Sequence, residues 1–266
     1  MRKKLEFLIL AFCLCLSAGC ATNPISGRSQ LMLIDEDEDL AIGQKYAPEI
    51  EKELGGRIPN DRLQNYLDHV GQNIARVSHR SDWQYQFVAL EDKMVNAFAL
   101  PGGYIFITRG MLENLETEAQ LAGILAHETV HVVARHSSAA MSRQIGISIL
   151  LSAVTSEASS GVATIANMTN QIIGLKFSRD DEVEADMGGL DYTVKAGYNP
   201  YGLVETMQML EDQSESRPIE FLSTHPNPGN RVKYMTEKIQ KDYFDHASLK
   251  IGKEDYQTLV LDQLGK

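Results

Sequence analysis

Ala126-His127-Glu128-Thr129-Val130-His131 is the stretch on which the reading of this chain turns. Residues four apart on an α-helix share a face, so His127 and His131 can offer two imidazole nitrogens to one metal ion. Glu128 sits one position round from His127, which suits its carboxylate to act as a base toward metal-activated water rather than as a ligand. A short H-E-x-x-H pattern alone is only suggestive, but its surroundings strengthen it. Thr117 with Gln120 makes a capping box, and Ala119, Leu121, Ala122, Ile124, Leu125, Val130 and Val132 supply an apolar, helix-forming setting. No Gly or Pro falls between Ile124 and His136. Two histidines and a glutamate inside such a helix are costly to bury without partners, and one zinc ion per chain supplies them.

A catalytic zinc site takes three protein ligands and leaves one position open, so a further His, Asp or Glu is needed. His136 is nearest. The extended three-histidine motif, however, wants Gly at the position of Ala134 and His at that of Ser137, so His136 reads as a structural group or one that orients a ligand. The better source is Ser178-Arg179-Asp180-Asp181-Glu182-Val183-Glu184-Ala185-Asp186. Glu182 and Asp186 share a helix face, so one can ligate zinc while the other accepts the free N–H of a ligating histidine. Taken in isolation the same run is a solvated acidic helix.

With 266 residues and 43% hydrophobic composition, the chain can bury one sizeable core. We expect a single catalytic domain over residues 35–246 and a tail, 247–266, with no readable signal. The formal charge is −11; losing three cations and one carboxylate with residues 1–19 takes it to −13. So acidic a surface argues against a nucleic-acid partner. The three cysteines, Cys13, Cys15 and Cys20, all lie near the N-terminus, which leaves no disulfide framework and no internal thiolate for a metal.

Residues 1–19 have the layout of a secretory signal peptide: Arg2-Lys3-Lys4, an apolar run over 7–16 too short to span a membrane, then small residues. Leu16-Ser17-Ala18-Gly19-Cys20 resembles a bacterial lipobox, with Ser17 where Leu is usual. The expectation is a lipid on Cys20 that anchors the protein by its N-terminus, with Ala21 resembling the pattern for transfer to the outer membrane. Residues 20–34 would then be the lipidated Cys and an extended tether containing Pro24 and Gly27.

The acidic run 35–39 suits a helix start; that helix reaches toward Leu54, with a kink or restart expected at Pro48. Leu63, Tyr66, Leu67, Val70, Ile74 and Val77 follow helical spacing. Trp83, Tyr85 and Phe87 alternate as a strand does, and strands over 94–100 and 104–108 flank the turn Pro101-Gly102-Gly103. They imply a small, at least partly antiparallel sheet whose edge, at Asn96, Ala97 and Phe98, can pair an extended peptide. Apolar runs over 145–154 and 162–175 read as helices packed near the catalytic one, with a membrane-touching or partner-binding surface as the alternative. A final helix covers 228 to about 241. The fold class is α+β, mainly helical.

Together, Asn96-Ala97-Phe98 with Pro101-Gly102-Gly103 and Thr108-Arg109-Gly110, then His127-Glu128-x-x-His131, Ser178-Arg179 with Glu182-x-x-x-Asp186, and His225-Pro226 resemble the zinc metallopeptidase family of HtpX heat-shock proteases and CAAX prenyl endopeptidases, in its soluble periplasmic lipoprotein branch. The resemblance implies a zincin-like fold, Glu182 as third zinc ligand and Asp186 as the carboxylate behind a ligating histidine. The spanning segments of the family's integral members have no counterpart here. His225 is a candidate for the metal's open position, for steadying the oxyanion, or for neither; Arg231 is a weaker one. The expected function is a periplasmic, lipid-anchored endopeptidase that hydrolyses misfolded or unassembled envelope proteins, with envelope-assembly partners possible. The alternative is a chaperone-like lipoprotein with a gated or weakly active site.

Overall fold

The computed structural model describes residues 20–155, 171–227 and 229–266. The signal-peptide reading and the apolar run beginning at 162 fall wholly or partly outside these residues. Two short strands, β1 (Cys20–Thr22) and β2 (Ser29–Leu31), form an antiparallel hairpin where an extended tether was expected. Its turn is held by Asn23, whose backbone bonds Arg28 and Gly27. Helix α1 (Glu36–Glu53) starts on a capping box between Asp35 and Glu38 and runs through Pro48 without a break. Pro48 and Gln44 are both exposed, so the carbonyl that proline leaves unpaired faces water, and the expected restart is not needed. Helix α2 (Asp61–Ala75), capped by Asn60, buries the stripe Leu63, Leu67, Val70 and Ile74.

The main sheet holds β3 (Gln86–Leu90), β4 (Ala97–Leu100) and β5 (Tyr104–Thr108) in the order β3-β5-β4. It is mixed: β5 is parallel to β3 and antiparallel to β4. The strand expected at Trp83 begins at Gln86. Alternation sorts its side chains between two cores. Phe87, Ala89, Ala97, Ala99, Ile105 and Ile107 join α2 in the larger. Val88, Leu90, Phe98, Leu100 and Phe106 face Tyr46, Ala47 and Ile50 of α1 in the smaller.

After the short α3 (Arg109–Leu112) comes α4 (Glu118–Val133), buried at every position but Gln120. Arg135, at φ 56°, turns the chain into α5 (His136–Thr155) and reaches back to Asp39 at 2.5 Å. Helix α6 (Arg179–Lys195), capped by Ser178, and α7 (Tyr201–Ser214) pack along α4; α8 (Glu220–Thr224) and α9 (Arg231–Asp242) follow. The segment expected to carry no signal instead enters the larger core through Tyr256 and Val260. Its carbonyls at Ile251 and Gly252 accept the backbone N–H groups of Ala119 and Glu118, in the first turn of α4. Among the described residues, no helix is long and apolar enough to cross a membrane.

Candidate metal centre

The Thr117 hydroxyl accepts from the N–H of Gln120 at 3.2 Å and so fixes where α4 begins. From this helix His127 and His131 turn toward one point, their Nε2 atoms 3.1 Å apart. Helix α6 brings Glu182 to it, with Oε2 3.6 Å from His127 Nε2 and Oε1 3.5 Å from His131 Nε2. The two helices can approach this closely because Gly189 has no side chain; a Cβ there would lie 3.2 Å from the backbone nitrogen of His127. His225, at the end of α8, adds Nδ1 at 3.3 Å from His127 Nε2 and 3.0 Å from Glu182 Oε1. The donor atoms of these four buried residues all lie within 4.8 Å of one another.

The spacing fits one small cation. Four donors about 2.0–2.2 Å from a tetrahedral centre stand about 3.3–3.6 Å from each other. The chemistry of the donors agrees. His127 Nδ1 lies 3.1 Å from Asp186 Oδ1, and His131 Nδ1 lies 2.9 Å from His136 Nδ1, so both outer nitrogens face polar groups away from the cluster. Their inner nitrogens then meet each other and a carboxylate in a dry interior, where converging lone pairs repel unless a cation sits among them.

Electrostatics favour the ligating forms. Burial, with His127 and His136 beside it, pushes His131 well below its usual range, which keeps the imidazole neutral. Burial works against ionising Glu182 and Asp186, yet His225, His127 and Arg231 hold Glu182 below the usual carboxylate range, and Arg231 with His127 holds Asp186 well below it.

The sequence pattern of peptidase family M48 matches residues 61–239, which span both histidines, Glu182 and His225. The chain belongs to peptidase family M48. The match bears out the resemblance to a zinc metallopeptidase family. The chain is similar to a putative beta-barrel assembly-enhancing protease of Vibrio cholerae, 28% identical over 86% of this chain and 51% of that protein. It is 28% identical to the beta-barrel assembly-enhancing protease of Escherichia coli K12, over 79% of this chain and 46% of the relative. To the mitochondrial metalloendopeptidase OMA1 of Schizosaccharomyces pombe it is 33% identical, over 80% of this chain and 65% of the relative. This M48 chain thus spans about half the length of the beta-barrel assembly-enhancing proteases it matches.

Beside the four donors of this M48 chain stands Glu128. Both its carboxylate oxygens are buried without a hydrogen bond, and His225 Nε2 stands 3.6 Å from Oε1. Burial, opposed by His127 and reinforced by Glu182, pushes its pKa up to about 8. Asn96, Ala97 and Phe98 are buried at the β4 edge, and both amide atoms of Asn96 lack partners. Asn96 bonds inward to Thr108; the carbonyls of Val95 and Ala99, on the other side of the strand, are taken by Phe221 N and Ser137 Oγ. Arg231 has a larger place in the M48 site than its sequence position conveys: buried, it donates to Asp186 at 2.8 and 2.9 Å and to Glu182 at 3.0 Å, while Tyr234 also donates to Asp186. Phe177 stacks on His131 and Phe221 on His225, walling the centre with rings. The sole sequence signal for these groups is the three-residue spacing of Arg231 and Tyr234 on one helix face.

Proposed function

We propose that this chain is a zinc-dependent endopeptidase of the bacterial cell envelope that hydrolyses misfolded or unassembled envelope proteins. The observation that carries the reading is Glu128, a buried carboxylate with no partner beside a cluster of metal donors. Zinc held by His127, His131 and Glu182 would supply Lewis acidity toward the scissile carbonyl and make water a nucleophile near neutral pH. Glu128, ionised beside the bound cation, accepts the proton from the attacking water and returns it to the leaving amine. Asp186, held by Arg231 and Tyr234, orients His127. Asn96 offers an unpaired amide at the β4 edge for the substrate backbone. The envelope location rests on the lipobox-like residues ending at Cys20, which anchor the chain to the outer membrane facing the periplasm, and on the beta-barrel assembly-enhancing proteases to which the chain is similar.

The position of His225 supports a second reading, a gated site. Its Nδ1 stands among the ligand atoms and its Nε2 beside Glu128, so it occupies ground that substrate needs. Purified chain, with zinc content measured, should cleave casein, and Glu128→Gln should keep the metal and lose cleavage. Full activity of that variant would sink the peptidase reading. His225→Ala should raise cleavage if the residue blocks the site, whereas a decrease refutes gating and leaves it an oxyanion role.

A further inference from the structure

The two ligating histidines of the proposed zinc site are backed by different groups. Behind His127 stands Asp186 with Arg231 and Tyr234. Behind His131 stands a chain of side chains that leads away from the cluster to the N-terminal hairpin. His131 Nδ1 meets His136 Nδ1 at 2.9 Å; His136 Nε2 meets Glu184 Oε2 at 2.8 Å; and Asn23 Nδ2 donates to the same Glu184 oxygen at 2.6 Å. Asn23 and His136 are buried. The amide of Asn23 is itself held, since its Oδ1 accepts from the N–H groups of Ile25 and Ser26 in the β1–β2 turn, which leaves Nδ2 to point at Glu184.

With His136 neutral, counting donors and acceptors fixes the protons along this chain. An ionised carboxylate only accepts, so His136 Nε2 carries the hydrogen it gives to Glu184. A neutral His136 then has a bare Nδ1, which can only accept, so His131 must carry its hydrogen on Nδ1. That leaves His131 Nε2 bare, with its lone pair directed at the cluster. Each link permits one tautomer of the next.

We propose that His136, Glu184 and Asn23 form a positioning relay that fixes the tautomer and ring orientation of His131 for metal binding, and thereby ties the metal centre to the hairpin that follows Cys20. The inference rests on the reading that His127, His131 and Glu182 hold a metal, and adds to it residues outside the ligand set. A hairpin serving only as tether would not supply the last link.

The test is the zinc dissociation constant of the purified full chain, measured by competition with a chromogenic chelator, beside the melting temperature of the metal-free protein. His136→Phe, which keeps the ring packed against Phe177, and Glu184→Ala should each weaken zinc binding about 10–100-fold. Asn23→Ala should weaken it in the same direction by a smaller factor. Arg28→Ala, in the same hairpin, removes an exposed side chain that pairs with Asp180 and keeps the backbone bond to Asn23, and should leave zinc binding unchanged. The metal-free variants should melt close to the native chain, because the relay acts on the ligand rather than on the fold. Zinc affinities of His136→Phe and Glu184→Ala within twofold of native would overturn the relay. So would a loss of affinity matched by an equal loss of metal-free stability, which would make the cluster structural only. A native chain that takes up no zinc would instead remove the metal reading beneath it, a result distinguishable from either.

Discussion

Glu128 has neither a hydrogen bond nor solvent, so ionising it costs far more in the folded chain than in the unfolded one, and its pKa moves from 4.5 to about 8. Between those values the folded chain keeps a proton that the unfolded chain has released, so stability falls as pH rises across the window. Keeping His131 neutral acts in the opposite sense below its ordinary value of 6.5, which leaves pH 6.5–8 to Glu128 alone of the two. Over that range the metal-free native chain should lose up to about 1.4 kcal/mol per pH unit relative to Glu128→Gln, read by thermal unfolding. Parallel curves would show that Glu128 is hydrated or paired in solution. At this scale the sequence is legible wherever helix periodicity does the placing: His127 with His131, and Glu182 with Asp186, each share a helix face as their four-residue spacings require, whereas the meeting of the two helices is a matter of the fold. Arg231, Glu184 and Asn23 are not legible in this way. A charged residue in a polar run looks solvated until the fold shows what lies against it, and Arg231 is fully enclosed.

Helix starts at 36 and 118 are legible in the acidic run 35–39 and in Thr117, because caps are local chemistry; Ser178, not read as a cap, accepts from a backbone N–H three residues on as Asp35 and Thr117 do. The order of the sheet is not legible, since strand periodicity says which face a residue takes and nothing about its neighbour. The last strand in sequence lies in the middle, and one pairing is parallel. Helix crossings depend on glycines whose role shows only in contact. A Cβ on Gly202, at the start of α7, would sit 2.4 Å from the carbonyl carbon and oxygen of Ala119, backbone atoms of α4 with no room to move. Gly202→Ala should therefore destabilise the fold by about 1–3 kcal/mol, with about 2–4 °C lost per kcal/mol in a thermal melt. An unchanged melt would mean that α7 can shift along α4 without cost.

Across the described residues, both the segment that follows Cys20 and the segment that follows Lys250 are fastened to helix α4 and its exit. In the first, Gln30 donates to the Ala134 carbonyl at 2.8 Å, Leu33 N–H to Ser142 at 2.9 Å, and Asp39 takes Arg135 and Ser138. If Cys20 carries a lipid, the catalytic domain sits directly on its anchor with no slack between. Cys20→Ser expressed in a bacterium should then appear in the soluble periplasmic fraction while the native chain sediments with outer membranes; a soluble native chain would rule the anchor out. In the second, the carbonyls of Ile251 and Gly252 close the first turn of α4. The helix bearing His127, Glu128 and His131 is thus finished with atoms that lie far along the chain. During synthesis, the growing polypeptide carries its H-E-x-x-H stretch for more than a hundred residues before that turn can close, so α4 is completed long after its own residues are made.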